Sequence, residues 1–80
     1  MTPNEIEQLI ESHLEDCSAT VRSDDNTHYE AVVIASSFDG KRPLQRHQMV
    51  YAALGDKMGG DIHALSIRAM TPGEAAADGG

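Results

Sequence analysis

Apolar residues recur at three- and four-residue steps near the start of the chain, where Ile6, Leu9, Ile10, His13 and Leu14 fall on one stripe and Glu7, Glu11 and Glu15 fall on the face turned to water. The run Thr2-Pro3-Asn4-Glu5 just before it reads as a helix start, with Thr2 as N-cap, Pro3 at the first helical position and Glu5 closing a capping box. This predicts an amphipathic helix that ends between Leu14 and Asp16. The period then shortens. Ser18 to Arg22 is a short candidate strand, Ser23 to Thr27 is dense in Asp and Asn as turns are, and Tyr29 to Ser36 is a second strand rich in Val, Ile and Ala. The two strands form a predicted hairpin.

Asp39-Gly40-Lys41-Arg42-Pro43 breaks the second strand, after which Leu44, His47, Tyr51, Leu54 and Met58 mark the expected inward stripe of a longer helix, stopped at Gly59-Gly60. Ile62 to Ala69 is a third strand. A second Thr-Pro-x-Glu start, Thr71-Pro72-Gly73-Glu74, follows it. The tail beyond has few apolar anchors, so the folded domain is expected over residues 1–74, with 75–80 frayed or disordered.

The order is α-β-β-α-β with a marginal last helix, an α+β fold in which a three-stranded mixed sheet carries helices on one face. A helix between the second and third strands is the usual connection between parallel neighbours. Parallel strands begin at the same end of a sheet. His28, just before the second strand, and His63, near the start of the third, are therefore expected close together.

Eighty residues bury only a little over ~60% of the surface that their unfolded chain exposes, so one thin layer of helices on one sheet is all the chain supports. Hydrophobic residues at 40% and charged residues at 24% suit a folded domain rather than a disordered one. Cys17 is the single cysteine, which excludes an internal disulfide and a thiol-only metal site within one chain. A reducing, cytoplasmic location fits this. The longest apolar run, Ala31 to Ala35, is too short to span a bilayer, and Glu5, Glu7 and Glu11 stand where a leader would be basic. No membrane association and no signal peptide are expected.

A net charge of -7 argues against general nucleic-acid binding, which depends on neutralising phosphates. Three of the six basic residues, Lys41, Arg42 and Arg46, nevertheless cluster at the start of the second helix, where helix N-termini favour anions. Folds that bind nucleic acid through a Gly-x-x-Gly loop place it before such a helix; this chain has Gly40 without the second glycine, and Tyr29, Phe38 and Tyr51 as candidate stacking aromatics. A solvated helix start accounts for the cluster equally well. Nothing in the chain pairs a nucleophile with a base, cradles a phosphate or sets two carboxylates in a cleft, so no enzyme is expected.

Two imidazoles at one end of a sheet suit iron or zinc, but two ligands do not close a four-coordinate site. The alternative is structural: His28 caps the turn and His63 packs at a strand edge. His47 and His13, each on an apolar stripe, are expected to be structural, and Cys17 to be a half-buried small residue.

Phe38-Asp39-Gly40, Arg46-His47, Ile62-His63-Ala64-Leu65-Ser66-Ile67 and Thr71-Pro72 follow one another as the signature blocks of the BolA family do, and the chain resembles that family from about Glu5 to Glu74. The short turn before Thr27-His28-Tyr29 is most similar to its acid-stress, IbaG-type branch. Ala75 departs from the pattern, standing where an aromatic usually follows Thr-Pro-x-Glu. The resemblance implies a class II KH-like fold and a non-enzymatic adaptor that pairs with a monothiol glutaredoxin. It implies a bridging 2Fe-2S cluster held by the glutaredoxin cysteine, a glutathione thiol and two side chains of this chain, in cluster trafficking or in iron or stress sensing. One ligand is then His63. The other belongs to the loop between the first two strands; Ser23 to Thr27 holds neither His nor Cys, so the position moves to His28, with Cys17 or a neighbouring Asp as fallback. A KH-like DNA-binding regulator of stress response and cell morphology, using Lys41, Arg42 and Arg46, is the alternative, and homodimerisation of the apo form stays open.

Overall fold

Ile6 and Ile10, one turn apart on the first helix, are completely buried and define the side on which the core lies. In the computed structural model, which describes residues 1–78, this helix, α1, spans Pro3–His13. Its start is the capping box expected from sequence: the Glu5 N–H donates to Thr2 Oγ1 at 3.2 Å and the Thr2 N–H donates to Glu5 Oε1 at 2.7 Å.

β1 (Cys17–Arg22) and β2 (His28–Ala35) pair antiparallel, with Cys17 opposite Ala35 and Arg22 opposite Glu30. β3 (Ala64–Met70) runs parallel to β2, with His28 opposite Ala64 and Ile34 opposite Met70. The mixed sheet has the order β1-β2-β3. Ala19, Val21, Tyr29, Ala31, Val33 and Ala35 alternate along β1 and β2 and are all buried beneath the helices, whereas His28, Glu30, Ala64 and Ser66 lie exposed on the other face. α2 (Pro43–Leu54) makes the connection between β2 and β3, and α3 (Pro72–Asp78) follows β3. The α+β architecture is thus the one that the sequence pattern predicts.

Two expectations for the helices change. Glu7 and Glu11 do not simply face water. Their carboxylates accept the outward N–H groups of Val21 at 2.8 Å and Ala19 at 2.9 Å, because α1 lies along the free edge of β1. An edge strand presents unpaired donors, and two acids one helical turn apart satisfy two alternate donors of this one. His13, expected on the apolar face, is exposed, with Nδ1 2.9 Å from the Leu9 carbonyl oxygen.

The second change concerns α2. Leu44 and Tyr51 are 70% and 41% exposed, while Val50, Ala53 and Leu54 are buried. The helix is rotated from the expected stripe because Arg46 is turned inward: its guanidinium sits 5.9 Å from the centroid of the completely buried Phe38 ring and donates to the Ala69 carbonyl at 3.2 Å. Val50 and Leu54 follow at successive four-residue steps. The helix also stops earlier than expected, at Leu54, because Gly55 takes φ 60°, which glycine adopts without the steric cost of a Cβ. A single 3-10 turn, Gly55–Lys57, continues the chain.

The second capping box is present at Thr71, whose N–H donates to Glu74 Oε1 at 2.9 Å while the Glu74 N–H donates to Thr71 Oγ1 at 3.2 Å. Residues 75–78, part of the expected frayed tail, form the rest of α3; 79–80 lie outside the described residues.

The packing sets a contrast for mutagenesis. Phe38→Ala empties a fully buried aromatic site and lowers the unfolding free energy by about 3–5 kcal/mol, whereas Leu44→Ala, on the outer face of α2, changes it by no more than about 0.5 kcal/mol. Urea unfolding of the two variants measures both.

Candidate metal and partner site at the start of β2 and β3

The turn from β1 to β2 is built by its own side chains. Asp25 Oδ1 accepts the N–H groups of Thr27 and His28, both at 2.9 Å, which folds Ser23–Thr27 around one carboxylate. Ser23 Oγ accepts the Asn26 N–H at 2.9 Å and donates to the His28 carbonyl at 2.7 Å. Tyr29, buried beneath, brings its hydroxyl to the carbonyls of Asn26, at 2.6 Å, and of Met1. Asn26 takes φ 56°, a left-handed conformation that Asn tolerates better than most residues.

His28 opens β2 on the exposed face of the sheet, 70% exposed, with Nδ1 2.9 Å from Asp25 Oδ2. The bonds from the His28 N–H, the His28 ring and the Thr27 N–H hold the Asp25 carboxyl far below the usual carboxylate range. The ring lines a shallow groove together with Arg22, Asp25, Ala64 and Ser66.

His63 reaches the same end of the sheet by another route. Ile62, completely buried, anchors the connection from α2, with its N–H donating to the Lys57 carbonyl at 3.0 Å and its carbonyl accepting from Gly59 at 2.8 Å. The Ala64 N–H then meets the Thr27 carbonyl at 3.4 Å. Since Ala64 is the register partner of His28 and opens β3, the exposed His63 immediately precedes that strand, so the backbones of the two histidines lie at the same end of the sheet.

The fallback ligands fare differently. Cys17 pairs with Ala35, at the far end of β2 from His28 and about 20 Å away at the rise of an extended strand. Burial, followed by the nearby Glu11, pushes its thiol pKa up, away from thiolate character. Asp25 is close enough to take part, but both its oxygens are engaged by the turn. Among the described residues no cluster of three or more His, Cys, Asp or Glu side chains could hold a metal. Two imidazoles are what this sheet end offers, and thiolates supplied by another molecule would complete four-coordination.

The basic cluster is divided. Lys41 and Arg42 are exposed at the start of α2, but Arg46 is spent on the fold: besides Ala69, it donates to the Lys41 carbonyl at 2.9 Å and to Glu74 at 2.6 and 3.3 Å. Of the aromatics considered for stacking, Tyr29 and Phe38 are buried and Tyr51 is exposed. His47 is half-buried on α2. The sequence reading missed the Arg46–Glu74 pair, whose members lie far apart in the chain. Asp25, one of the acids expected as a fallback ligand, instead shapes the turn: the Asp-x-Thr-His spacing is that of a side chain bonding its own backbone two and three residues on.

This fold and site define a class that comparison with known proteins makes specific. The family model described as BolA-like protein matches residues 1–74, and the chain belongs to that family. It is similar to BolA-like protein 1 of Homo sapiens, 40% identical over 67 residues, covering 84% of this chain and 49% of that protein. It is also similar to the DNA-binding transcriptional regulator BolA of Haemophilus influenzae, 34% identical over 64 residues, covering 80% of this chain and 58% of that one. The structure of a BolA homologue from Coxiella burnetii superposes with a TM-score of 0.86 at 42% identity, covering 95% of this chain and 97% of that one. The chain spans about half the length of the curated relatives it matches. Among the described residues no helix is long and apolar enough to cross a membrane.

The Arg46–Glu74 pair gives the fold a pH signature. Hydrogen bonds from Arg46, then from Thr71, pull the Glu74 carboxyl from its ordinary 4.5 down to about 2. A carboxyl whose folded pKa is depressed contributes stability that is complete above its unfolded value and disappears as pH falls through the folded one. Wild type therefore loses this contribution between about pH 4.5 and pH 2. Glu74→Gln lowers the urea midpoint at pH 7, and the gap to wild type closes as the pH falls through that window.

Proposed function

We propose that this protein is a non-enzymatic adaptor that pairs with a monothiol glutaredoxin and shares a bridging 2Fe-2S cluster, which His63 and His28 ligate from this side and the glutaredoxin cysteine and a glutathione thiol from the other. The observation that supports the reading is the parallel register, which sets His28 opposite Ala64, the residue after His63, so that both exposed histidines belong to one end of the sheet. The donor set is compatible with this: two exposed imidazoles are offered, and among the described residues no group of three or more His, Cys, Asp or Glu could hold a metal, so in this reading thiolates come from the partner. When bound, the cluster supplies electron transfer or transferable iron and sulfide, and imidazole in place of thiolate makes it less negative and raises its reduction potential.

The chain's own part is to hold its ligands in place. Asp25 orients His28 through Nδ1, as carboxylates behind metal-bound histidines commonly do, and the buried Ile62 fixes the backbone that presents His63. The groove beside His28 is open to solvent and lined by Arg22, Asp25, Ala64 and Ser66.

A duplex-binding role, suggested by the name of the Haemophilus influenzae relative, has the exposed Lys41 and Arg42 in its favour. Against it stand the net charge of -7, the commitment of Arg46 to Glu74 and the burial of Tyr29 and Phe38. Two free cations at a helix start are a small electrostatic footprint. The adaptor reading uses the more organised site.

Mixing the protein with a monothiol glutaredoxin, glutathione, iron and sulfide is expected to give a coloured heterodimer whose visible and circular-dichroism spectra change in His63→Ala and again in His28→Ala. A spectrum and a complex left unchanged in His63→Ala would remove that residue as a ligand.

A further inference from the structure

We infer that Asp25 is a positioning residue that chooses the ligating nitrogen of His28, holding the neutral ring with its proton on Nδ1 so that Nε2 is the nitrogen offered at the sheet end. The inference deepens the proposed cluster-sharing role and rests on it for the identity of the ligand, but the state of the ring is a property of the free protein.

The chemistry follows from what an ionised carboxylate can do, which is accept. Asp25 Oδ1 already takes the Thr27 and His28 N–H groups, and Oδ2 lies 2.9 Å from His28 Nδ1. Nδ1 must therefore donate. A neutral imidazole carries one proton, so Nε2 keeps its lone pair and is free to bind a metal. An isolated exposed pair would hold its geometry weakly. This one is held by more than itself: the backbone N–H of His28 and its ring bind opposite oxygens of one carboxylate, and Ser23 Oγ and the Tyr29 hydroxyl fix the turn on either side. The site is thus ordered before any partner arrives, and less ordering remains to be done on association.

Asp25→Asn separates this role from mere support of the turn. The Asn side-chain oxygen can still accept the Thr27 and His28 N–H groups, so the turn persists, but its NH2 faces Nδ1 and must donate to it. The ring proton then moves to Nε2, the nitrogen needed for ligation. Nitrogen-15 NMR of the histidine rings in the full chain without cluster, at a pH where they are neutral, is expected to show His28 protonated at Nδ1 in wild type and at Nε2 in Asp25→Asn, with the Thr27 and Ala64 backbone amides little moved. Asp25→Ala is expected to lose the preference and shift those amides. Predominant Nε2 protonation in wild type, or no change in Asp25→Asn, would overturn the inference.

A second arm tests the consequence. In the cluster-loaded heterodimer, Asp25→Asn should reproduce the spectral change of His28→Ala and weaken the complex by about 10–100-fold, the usual effect of removing a group behind a metal ligand. A ring that switches as expected, in a complex whose spectrum neither Asp25→Asn nor His28→Ala alters, would overturn His28 as a ligand while leaving the hold of Asp25 on the ring established.

Discussion

The parallel pairing of β3 with β2 is the constraint on which the rest of the structure depends. Opposing His28 to Ala64 requires the chain to leave the far end of β2, cross the sheet and return to the near end before β3 begins. α2 makes that return over the buried face, and the turn after it ends on Ile62, driven fully into the core. Once Ile62 is placed, His63 is the next residue and has little choice of position. A slip of one residue in the register would move every β3 side chain to the opposite face, exposing Leu65 and Ile67, which pack against the core. Core burial thus sets the position of a residue that is itself exposed.

The polar interactions divide into those that close the fold and those that keep one end open. Glu7 and Glu11 satisfy alternate donors on the free edge of β1, and Arg46 ties α2 to the end of β3 and the start of α3 through Ala69 and Glu74. These are connections between elements distant in sequence, and they stiffen a core that a chain of this size keeps thin. At the His28 end the carboxylate of Asp25 bonds only within its own turn and leaves the neighbouring groove free. The arrangement leaves the exposed His28 end of the sheet open.

What could be read from the sequence follows the range of each interaction. Both Thr-Pro-x-Glu starts are visible because cap and acceptor lie three residues apart. The parallel register, which puts His28 and His63 at the same end of the sheet, follows from a connection rule that needs only the order of elements. The rotation of α2 could not be read in the same way: Leu44 and Tyr51 look like core residues until Arg46 finds Phe38, Ala69 and Glu74, and those contacts exist only in the folded chain. Likewise Glu7 and Glu11 resemble any solvated acids until β1 lies beside them. The turn of Asp25 is legible, since this side chain bonds backbone two and three residues away, whereas the second Asp25 oxygen turning to the His28 ring belongs to the folded chain.

In the proposed role the exposed sheet end, and not the start of α2, meets the partner and its cluster. NMR of the isotopically labelled protein on addition of cluster-loaded monothiol glutaredoxin tests it most directly. The ring signals of His28 and His63 and the amides of Ala64 and Ser66 are expected to shift or broaden together, while Lys41 and Arg42 are unaffected. Perturbation centred on Lys41 and Arg42, with both histidine rings unchanged, would contradict it.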